Sequence, residues 1–446
     1  MLSVRFLPVF LLATLPLSAS VVGTNVAVKP LTRERVMTLP AKERGPWLAY
    51  IDRSEKQMAA DKASFAKERE GMTQLPPLPK QGFSARSIPL NRPAEWYAGD
   101  EARKLGDAVL SFQTSNGGWS KNLDFAAGPR VKGESYFTAN LAPTAMPPND
   151  FDKPDDERWH YFSTLDNDAT NTEIHFLAKL AQANPGAAGE AYRKAVVRGV
   201  EYLLASQFPN GGWPQVWPLE GGYHDMITYN DDAVTESAEV LTLAAAGRVA
   251  APDGELVDGV AGEEYTFVPA ALRARAKAAV VKANEIILAT QVKVDGTLTV
   301  WAQQHDPLTL EPASARNFEM PSLSSGESAS VLLYLMALPK PSAAEVRSVN
   351  AAAAWFEANK MMGYTWGGGR DTPGGRKLTP QAGAGPLWAR YYSLTTGKPV
   401  FGDRDKSIHD DVMEISAERR NGYAWYGGGP QKALTKYAEW HKLHQS

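Results

Sequence analysis

The sequence predicts a mainly α protein whose helices form an α/α toroid, an incomplete α/α barrel in which irregular loops form a cleft. Two observations lead to this prediction. A helical segment that ends in Asn-Gly-Gly-Trp occurs at residues 111–119 and again, 94 residues later, at residues 206–213. Each turn is followed by a segment rich in Ala and Leu that is apolar on more than one side, as a buried inner helix is. Such self-similarity is typical of stacked helix pairs.

The repeat weakens along the chain but continues. Further copies are predicted at residues 291–301, 355–366 and 421–425. The predicted inner helices are residues 169–183, 233–250, 326–338 and 386–394. A toroid brings the N-termini of its inner helices to one end. The polar clusters that precede these helices are therefore expected to meet there.

The first residues have the pattern of a secretory signal. Arg5 supplies the positive charge, an apolar run extends through Leu17, and small residues follow. The run is too short for a membrane span. We expect residues 1–19 to be a signal peptide, residues 20–93 an N-terminal helical arm with helices near 41–50 and 54–70, and residues 94–446 the toroidal catalytic domain. The protein is then secreted or periplasmic, without membrane attachment after cleavage.

Composition excludes several classes of protein. The chain has no cysteine, which rules out disulfides and Cys-type zinc sites. The net charge of −3 is a poor match for nucleic acid. We expect a monomer. A polyanionic substrate would need local basic groups or a bridging cation. The histidines at positions 160, 175, 224, 305 and 409 show no mutual spacing typical of metal ligands, and no His-Glu-x-x-His pattern is present.

Two acidic clusters precede predicted inner helices. They lie at residues 165–173 and 229–236 and align at Asp168 and Asp232, with an offset of 64 residues. Each Asp could simply cap a helix, which contributes about 1 kcal/mol. The clusters contain more oxygen donors than capping needs, and such a set suits a hard cation, Ca²⁺ more than Mg²⁺. The candidate donors are Asp166, Asn167, Asp168, Asn230, Asp231 and Asp232.

Three arginines are candidates for binding an acidic ligand. Arg316 lies between two Pro-containing turns, ahead of Ser324 and Glu327, which have the spacing of a capping box. Arg390 is predicted to lie about one turn into an inner helix, where an internal ion pair is the alternative role. Arg404 has acidic neighbours, so a surface ion pair would explain it equally well. A guanidinium group forms forked hydrogen bonds to a carboxylate.

Together these stretches resemble the polysaccharide lyases of family ten, which are pectate lyases. The resemblance covers most of the chain from about residue 94 onward. It implies that Arg316 is the Brønsted base and that Arg390 and Arg404 contact substrate. It also implies a Ca²⁺ cofactor and, as substrate, polygalacturonate (pectate).

The resemblance further indicates which acidic residues bind the metal. It points to Asp168 and to the pair Asp231 and Asp232, without deciding between the members of that pair. Asn167 is a further candidate ligand.

The implied reaction is calcium-assisted anti β-elimination, which yields 4,5-unsaturated oligogalacturonides. Neutral arginine is scarce at pH 7 because the pKa of its guanidinium is above 12. A nearby Ca²⁺ and the other arginines would lower the pKa of Arg316. We therefore expect an alkaline pH optimum. In the alternative role, Arg316 only binds a carboxylate.

Other classes remain open at this stage. An inverting glycoside hydrolase on the same toroid would use Asp168 and Asp232 as its acid and base. A binding protein for uronic oligosaccharides would keep the aromatic and arginine side chains without turnover. A terpenoid cyclase shares the Gln…Gly…Trp type of repeat, but the signal peptide and the arginines argue against it.

Overall fold

The computed structural model describes residues 21–444 apart from 83–86, 139–148, 155, 157–158 and 247–262, so the predicted signal peptide lies outside the described residues. Helices account for most of the regular structure. They are α1 Arg33–Val36, α2 Ala41–Glu68, α3 Ala94–Tyr97, α4 Asp100–Ser111, α5 Asn171–Ala183, α6 Glu190–Ser206, α7 Ala233–Ala246, α8 Ala270–Thr290, α9 Ser325–Met336, α10 Ala343–Ala358, α11 Ala417–Gly422 and α12 Pro430–Leu443.

The strands are short and lie in the loops. They are β1 Val21–Thr24, β2 Ile227–Thr228, β3 Lys293–Val294, β4 Thr297–Leu298, β5 Gln304–His305, β6 Leu323–Ser324, β7 Tyr364–Gly367, β8 Lys377–Pro380, β9 Trp388–Ala389, β10 Tyr391–Tyr392, β11 Phe401–Gly402, β12 Ser407–His409 and β13 Tyr426–Gly427. All their pairings are antiparallel. β12 lies between β1 and β11, and the remaining pairs are β2–β5, β3–β4, β6–β10, β7–β8 and β9–β13.

The helices form two layers, as an α/α toroid requires. α5, α7, α9 and α12 pack side by side in the inner layer, and α4, α6, α8 and α10 pack side by side in the outer layer. The inner helices α5, α7 and α9 also pack on the outer helix that follows each of them along the chain, and α12 packs on α10, which precedes it. Inner helices bury residues on several faces, which explains their Ala- and Leu-rich sequences.

The repeated glutamine joins neighbouring outer helices. Gln113, Gln207 and Gln291 each donate from Nε2 to a carbonyl in their own turn and to a carbonyl of the next outer helix, at 2.8–3.1 Å. The tight turns need glycine, since a Cβ at Gly117 or Gly211 would lie within 2.5 Å of a backbone oxygen, at positive φ. The repeat therefore has a packing role.

The repeated tryptophan closes each unit on its own outer helix. Trp119, Trp213 and Trp301 are fully buried, and each donates from Nε1 to a carbonyl of the preceding outer helix at 2.7–2.8 Å. In the fourth unit Trp388 makes this contact, to Phe356 of α10. The prediction that the fourth unit ends at residue 366 is therefore wrong, because the intervening β7–β8 hairpin separates the helix from its tryptophan.

Two further predictions need correction. The two helices predicted near 41–50 and 54–70 are one continuous helix, α2. The inner helix predicted over 386–394 does not form. That segment makes β9 and β10, whose partners are β13 and β6. Its three aromatic residues, Trp388, Tyr391 and Tyr392, are all buried, and aromatic residues favour extended strands. The last inner helix is α12.

The N-terminal segment packs against the toroid. β1 pairs with β12, and Trp47 and Tyr50 of α2 lie against Phe208, with ring centroids 5.5 and 5.0 Å away. These side chains share one hydrophobic core with the helices of both layers. Within the described residues, no helix is long and apolar enough to cross a membrane.

Candidate active site

A cavity of about 310 Å³ lies beside the segments that lead into the inner helices. Its lining combines carboxylates and cations. The carboxylates are Asp152, Asp166, Asp231 and Glu319. The cations are Lys121, Arg316 and Arg390. A cavity with both signs of charge can bind an acidic ligand and a metal cation side by side.

The two acidic segments have the same backbone geometry. Each forms a 3₁₀ turn, Asp166–Asp168 and Asn230–Asp232, before an inner helix. Asn167, Asp168, Asp231 and Asp232 all have positive φ, between 48° and 59°. Asn and Asp tolerate this left-handed conformation better than most residues, although it still carries strain. The two segments are therefore a structural repeat with the offset of 64 residues that the sequence predicts.

The two segments also bind each other. The backbone N–H of Asn167 donates to Asp231 Oδ2 at 3.0 Å, and Asn230 Nδ2 donates to Asp166 Oδ1 at 3.2 Å and to Asp231 Oδ2 at 2.8 Å. Lys121 forms a buried ion pair with Asp166. Two carboxylates, one side-chain amide and one backbone N–H thus meet at one point of the cavity.

The electrostatics of this point favour a cation. Burial and the neighbouring charge of Asp166 raise the pKa of Asp231 well above its ordinary value. Burial opposes ionisation of Asp166 as well, but Lys121 holds the pKa of Asp166 below its ordinary value. Gln215 donates to Asp166 at 2.7 Å, and its own buried Oε1 has no hydrogen-bond partner in the described structure. An oxygen-rich set with an unsatisfied acceptor fits Ca²⁺.

The structure separates the predicted metal ligands into two groups. Asn167 and Asp231 line the cavity, whereas Asp168 and Asp232 are not among its lining residues. Asp232 lies near Ser330 and Glu327, and burial raises its pKa to about 6. Asp168 is not a helix cap.

The cap of α5 is Thr170. Asp166 and Asn230 are candidate oxygen donors in the sequence but are not among its predicted metal ligands. They line the cavity instead.

Arg316 lies on the loop between β5 and β6, and two nitrogens of its guanidinium group donate to one carboxylate. Its Nε and Nη2 donate to Glu319 Oε2 and Oε1 at 2.8 and 2.6 Å. Burial alone would lower the pKa of Arg316, but the charge and hydrogen bonds of Glu319 raise it well above its ordinary value. Burial would raise the pKa of Glu319, but Arg316 lowers it to about 2. Without substrate, Arg316 is therefore a cation. Glu319 is not among the residues that the sequence predicts to be functional.

Arg390 lies between β9 and β10, so its predicted position within a helix is wrong. Its Nη2 donates to Glu327 Oε1 at 2.5 Å, and its guanidinium lies 4.7 Å from the centroid of the Tyr423 ring. Ser324 is the N-cap residue of α9, but its hydroxyl donates to the Glu327 carboxylate instead of accepting from the helix backbone. The helix start predicted at Ser324 is therefore confirmed, and Glu327 also accepts the hydrogen bond from Arg390.

Arg404 is outside the cavity lining. Its side chain is 58% exposed and forms a forked pair with Glu418, at 2.9 and 3.2 Å. Phe318 links it to the site, since the guanidinium groups of Arg316, Arg404 and Arg419 lie 5.1, 5.5 and 4.3 Å from that ring. Arg419 was not predicted from the sequence, although the adjacent pair Arg419 and Arg420 was a signal that could have indicated it.

Comparison with known proteins agrees with this architecture. The Pectic acid lyase family matches residues 113–434. The structure is similar to the family 10 polysaccharide lyase from Cellvibrio cellulosa, with 32% identity, a TM-score of 0.61, and coverage of 81% of this chain and 99% of that chain. A mutant of that lyase in complex with trigalacturonic acid matches with 32% identity, a TM-score of 0.62, and coverage of 80% and 99%. No curated protein sequence matches the chain.

The toroid and its charged cavity, with these matches, define a polysaccharide lyase. The chain belongs to the pectic acid lyase family, family 10 of the polysaccharide lyases.

Proposed function

We propose that the protein cleaves polygalacturonate by calcium-assisted anti β-elimination and releases 4,5-unsaturated oligogalacturonides. The observation that carries this proposal is that Arg316 and the paired carboxylates Asp166 and Asp231 line one cavity. The trigalacturonic acid complex of the Cellvibrio lyase supports the substrate class. A base and an oxygen-rich cation site are the two features that elimination from a uronate needs.

The residues that would hold Ca²⁺ are Asp166, Asn167, Asn230 and Asp231. When bound, the ion would act as a Lewis acid toward the uronate carboxylate and so favour loss of the neighbouring C5 proton. Lys121 already balances the charge of Asp166. Burial and the like charge of Asp166 oppose ionisation of Asp231. Asp231 is therefore the residue whose charge state depends most on the cation.

The hydrogen bonds of Arg316 determine which nitrogen can accept the proton. Glu319 accepts from Nε and Nη2, and Nη1 makes no hydrogen bond to any described residue. A neutral guanidine that keeps both bonds to Glu319 carries its lone pair on Nη1. Glu319 thus opposes loss of the proton from Arg316, but it orients the base that results. The C5 proton of the substrate would pass to Nη1 as the C4–O bond breaks.

The remaining arginines would bind carboxylates of the polymer. Arg390 lines the cavity and needs only to exchange or share its single short bond to Glu327. Arg404 is more exposed and would have to release Glu418. Arg390 is therefore proposed to hold a uronate near the reacting bond, and Arg404 one farther along the chain.

The hydrolase alternative is less well supported. An inverting hydrolase would need Asp168 and Asp232 to lie on opposite faces of the sugar ring, with room for a water molecule between the base and the ring. Neither residue lines the cavity. A binding protein would need no base, whereas Arg316 is held in a defined orientation.

The first test is the ultraviolet absorbance of the purified protein mixed with polygalacturonate, with Ca²⁺ and then with excess chelator. We expect absorbance from C4–C5 unsaturated products to rise, to stop when chelator is added, and to be fastest at alkaline pH. New reducing ends without absorbance would instead indicate a hydrolase. Binding of trigalacturonate without either product would indicate a binding protein.

The proposed location is the periplasm or the extracellular space, and the proposed oligomeric state is a monomer. Support for the location comes from the N-terminal pattern around Arg5 and Leu17. N-terminal sequencing of protein recovered from the periplasm or medium should begin near residue 20. An intact first residue in recovered protein would contradict cleavage. Light scattering would measure the oligomeric state.

A further inference from the structure

Two histidines that are distant in sequence meet at the wall of the cavity. Asp152, His160 and His224 each offer a ligand atom, and these atoms all lie within 4.8 Å of one another. Asp152 Oδ1 is 3.5 Å from His224 Nε2, and the two imidazole rings have centroids 5.2 Å apart. Both histidines are buried, and Asp152 and His160 line the cavity. We propose that these three residues bind a divalent transition metal, at a site separate from the oxygen-rich calcium site.

A carboxylate behind the histidines supports metal binding. Glu220 Oε1 accepts from His160 Nδ1 at 2.9 Å, and Glu220 Oε2 accepts from the backbone N–H of Tyr161 at 3.0 Å. The first bond leaves the lone pair of His160 on Nε2, the nitrogen that remains for a metal. The buried His224 Nδ1 makes no hydrogen bond in the described structure and lies 3.4 Å from the same Glu220 oxygen. A carboxylate that orients a metal-binding imidazole from behind is a frequent feature of such sites.

The chemistry of the ligands determines the class of metal. Two imidazole nitrogens and one carboxylate suit Zn²⁺, Co²⁺, Ni²⁺ or Mn²⁺, whereas Ca²⁺ prefers oxygen ligands. Metal–ligand bonds of about 2.0–2.1 Å in a tetrahedral site place ligand atoms roughly 3.3 Å apart. The 3.5 Å between Asp152 Oδ1 and His224 Nε2 is close to that separation. Glu220 and Asp152 supply negative charge for a divalent cation.

Neighbouring groups set the conditions for binding. The Tyr161 hydroxyl lies 2.9 Å from His224 Nε2, and the Tyr223 hydroxyl donates to Asp152 Oδ1 at 2.5 Å. When the metal binds, each hydroxyl group would have to rotate away or become a ligand itself. Lys121 lies 3.6 Å from the centroid of the Tyr161 ring, and its charge opposes a cation. Lys121 also pairs with Asp166, which offsets that charge.

The site follows from the same duplication as the acidic segments. His160 and His224 have the sequence offset of 64 residues that relates Asn167 to Asp231. Each copy therefore supplies one imidazole and one set of oxygen donors. The two imidazoles lie close together, and so do the two sets of oxygen donors. The inference concerns metal binding alone and does not depend on the proposed elimination reaction.

The test is a titration of the chelator-treated full-length protein with Co²⁺, followed by visible absorbance and by metal analysis. We expect one Co²⁺ per chain, with absorption bands that indicate nitrogen ligands and persist in a large excess of Ca²⁺. Asp152→Asn and His160→Gln should each weaken binding at least tenfold. Glu220→Gln should weaken it about 10–100-fold, because it leaves the ligands in place but removes their orientation.

Two control variants make the result specific. His441→Gln removes a histidine at the end of α12 and should bind Co²⁺ like the parent protein. Asp231→Asn, in the oxygen-rich site, should also retain Co²⁺ binding. Circular dichroism checks that each variant is folded, and Asp152→Asn changes a partly exposed side chain in case the buried histidine variants unfold. Absence of a bound Co²⁺ would overturn the proposal, as would full binding by folded Asp152→Asn or displacement by equimolar Ca²⁺.

Discussion

The chain contains two kinds of repeat, and they are used differently. In the Gln…Gly…Trp repeat, each copy makes the same contacts to its own and the next outer helix, as Gln113 and Gln207 do. In the segments that precede α5 and α7, the copies share backbone geometry but bind each other, as Asn167 and Asp231 do. Copies that pack on their own helices form the scaffold. Copies that meet form the site.

This difference separates stability from activity. A scaffold residue contributes a local contact that is present in every unit, so its loss weakens one junction between helices. A site residue contributes to a single cavity, where strained backbone and adjacent like charges are retained despite their cost. Variants in the two kinds of segment should therefore affect different measurements.

The largest expected effect is loss of turnover on changing Arg316. Arg316→Lys keeps a positive charge beside Glu319 but removes the planar fork that orients the lone pair. We expect kcat on polygalacturonate to fall by about 10²–10⁴-fold, the usual contribution of a general base. The change in KM should be small. Arg347→Lys, on the exposed face of α10, is the matched control, and parental kcat in Arg316→Lys would remove Arg316 from the reaction.

The next effect concerns calcium. Asp231→Asn retains the shape of the side chain but removes its charge, and Asp231 is the cavity carboxylate without its own cation. We expect the Ca²⁺ concentration that gives half-maximal activity to rise at least tenfold, with thermal stability unchanged or higher because a buried like-charge contact is lost. Asp232→Asn, the neighbouring residue outside the cavity lining, is the control. Equal effects of both variants would contradict the choice of ligands.

A third variant tests how Glu319 acts on the base. The charge of Glu319 raises the pKa of Arg316, so Glu319→Gln should lower that pKa and make neutral arginine available at lower pH. The rising limb of the pH–rate profile, which reports loss of the proton from the base, should move toward neutral pH. Maximal kcat should fall because the guanidine is less well oriented. Glu311→Gln, on the same loop, is the control. A profile that keeps its position would show that Arg316 does not titrate in the reaction.

A substitution in the scaffold should lower stability and leave activity unchanged. Gln207→Ala removes two buried hydrogen bonds, one to a carbonyl in the turn and one to a carbonyl of α8. The free energy of unfolding should fall by about 1–3 kcal/mol, since a typical hydrogen bond contributes about 0.5–1.5 kcal/mol. Activity per folded molecule should stay at the parental value. Denaturant melts and kinetics of the same sample measure both, and a loss of specific activity would mean that the repeat contributes to the site.

The smallest effect is expected at Arg404. Its forked pair with Glu418 is exposed, so Arg404→Ala should change the free energy of unfolding by less than about 1 kcal/mol. If Arg404 binds a distant uronate, KM should rise severalfold on long polymers and little on trigalacturonate. An equal rise on both substrates would place Arg404 closer to the reacting bond. Lys432→Ala is a control for loss of surface charge.

Much of the scaffold could be predicted from local chemistry. The turns at Gly117 and Gly211 need residues that accept positive φ without a Cβ, and this constraint appears directly in the sequence. The apolar composition of α5, α7 and α9 likewise indicates burial, whatever the helices pack against. The helix predicted around Arg390 does not form, because its aromatic residues lie in short strands whose partner strands are far away in the sequence.

The candidate site was predictable only in outline. The two acidic segments were recognised because their residue types limit their chemistry, and the role of Arg316 was inferred from the family resemblance. Composition could not show that Glu319 holds Arg316 as a cation, since the contact depends on a loop conformation. The 64-residue offset also relates His160 to His224, but their pairing becomes visible only when the two segments lie side by side.

The sequence alone therefore determined the helical repeat, the family resemblance and the types of chemical group available. The tertiary structure decided which groups face the cavity. The first two residues of each 3₁₀ turn line the cavity, whereas the third, Asp168 or Asp232, does not. Residue type sets what a side chain can do, whereas direction and neighbours depend on packing between segments that sequence spacing does not encode.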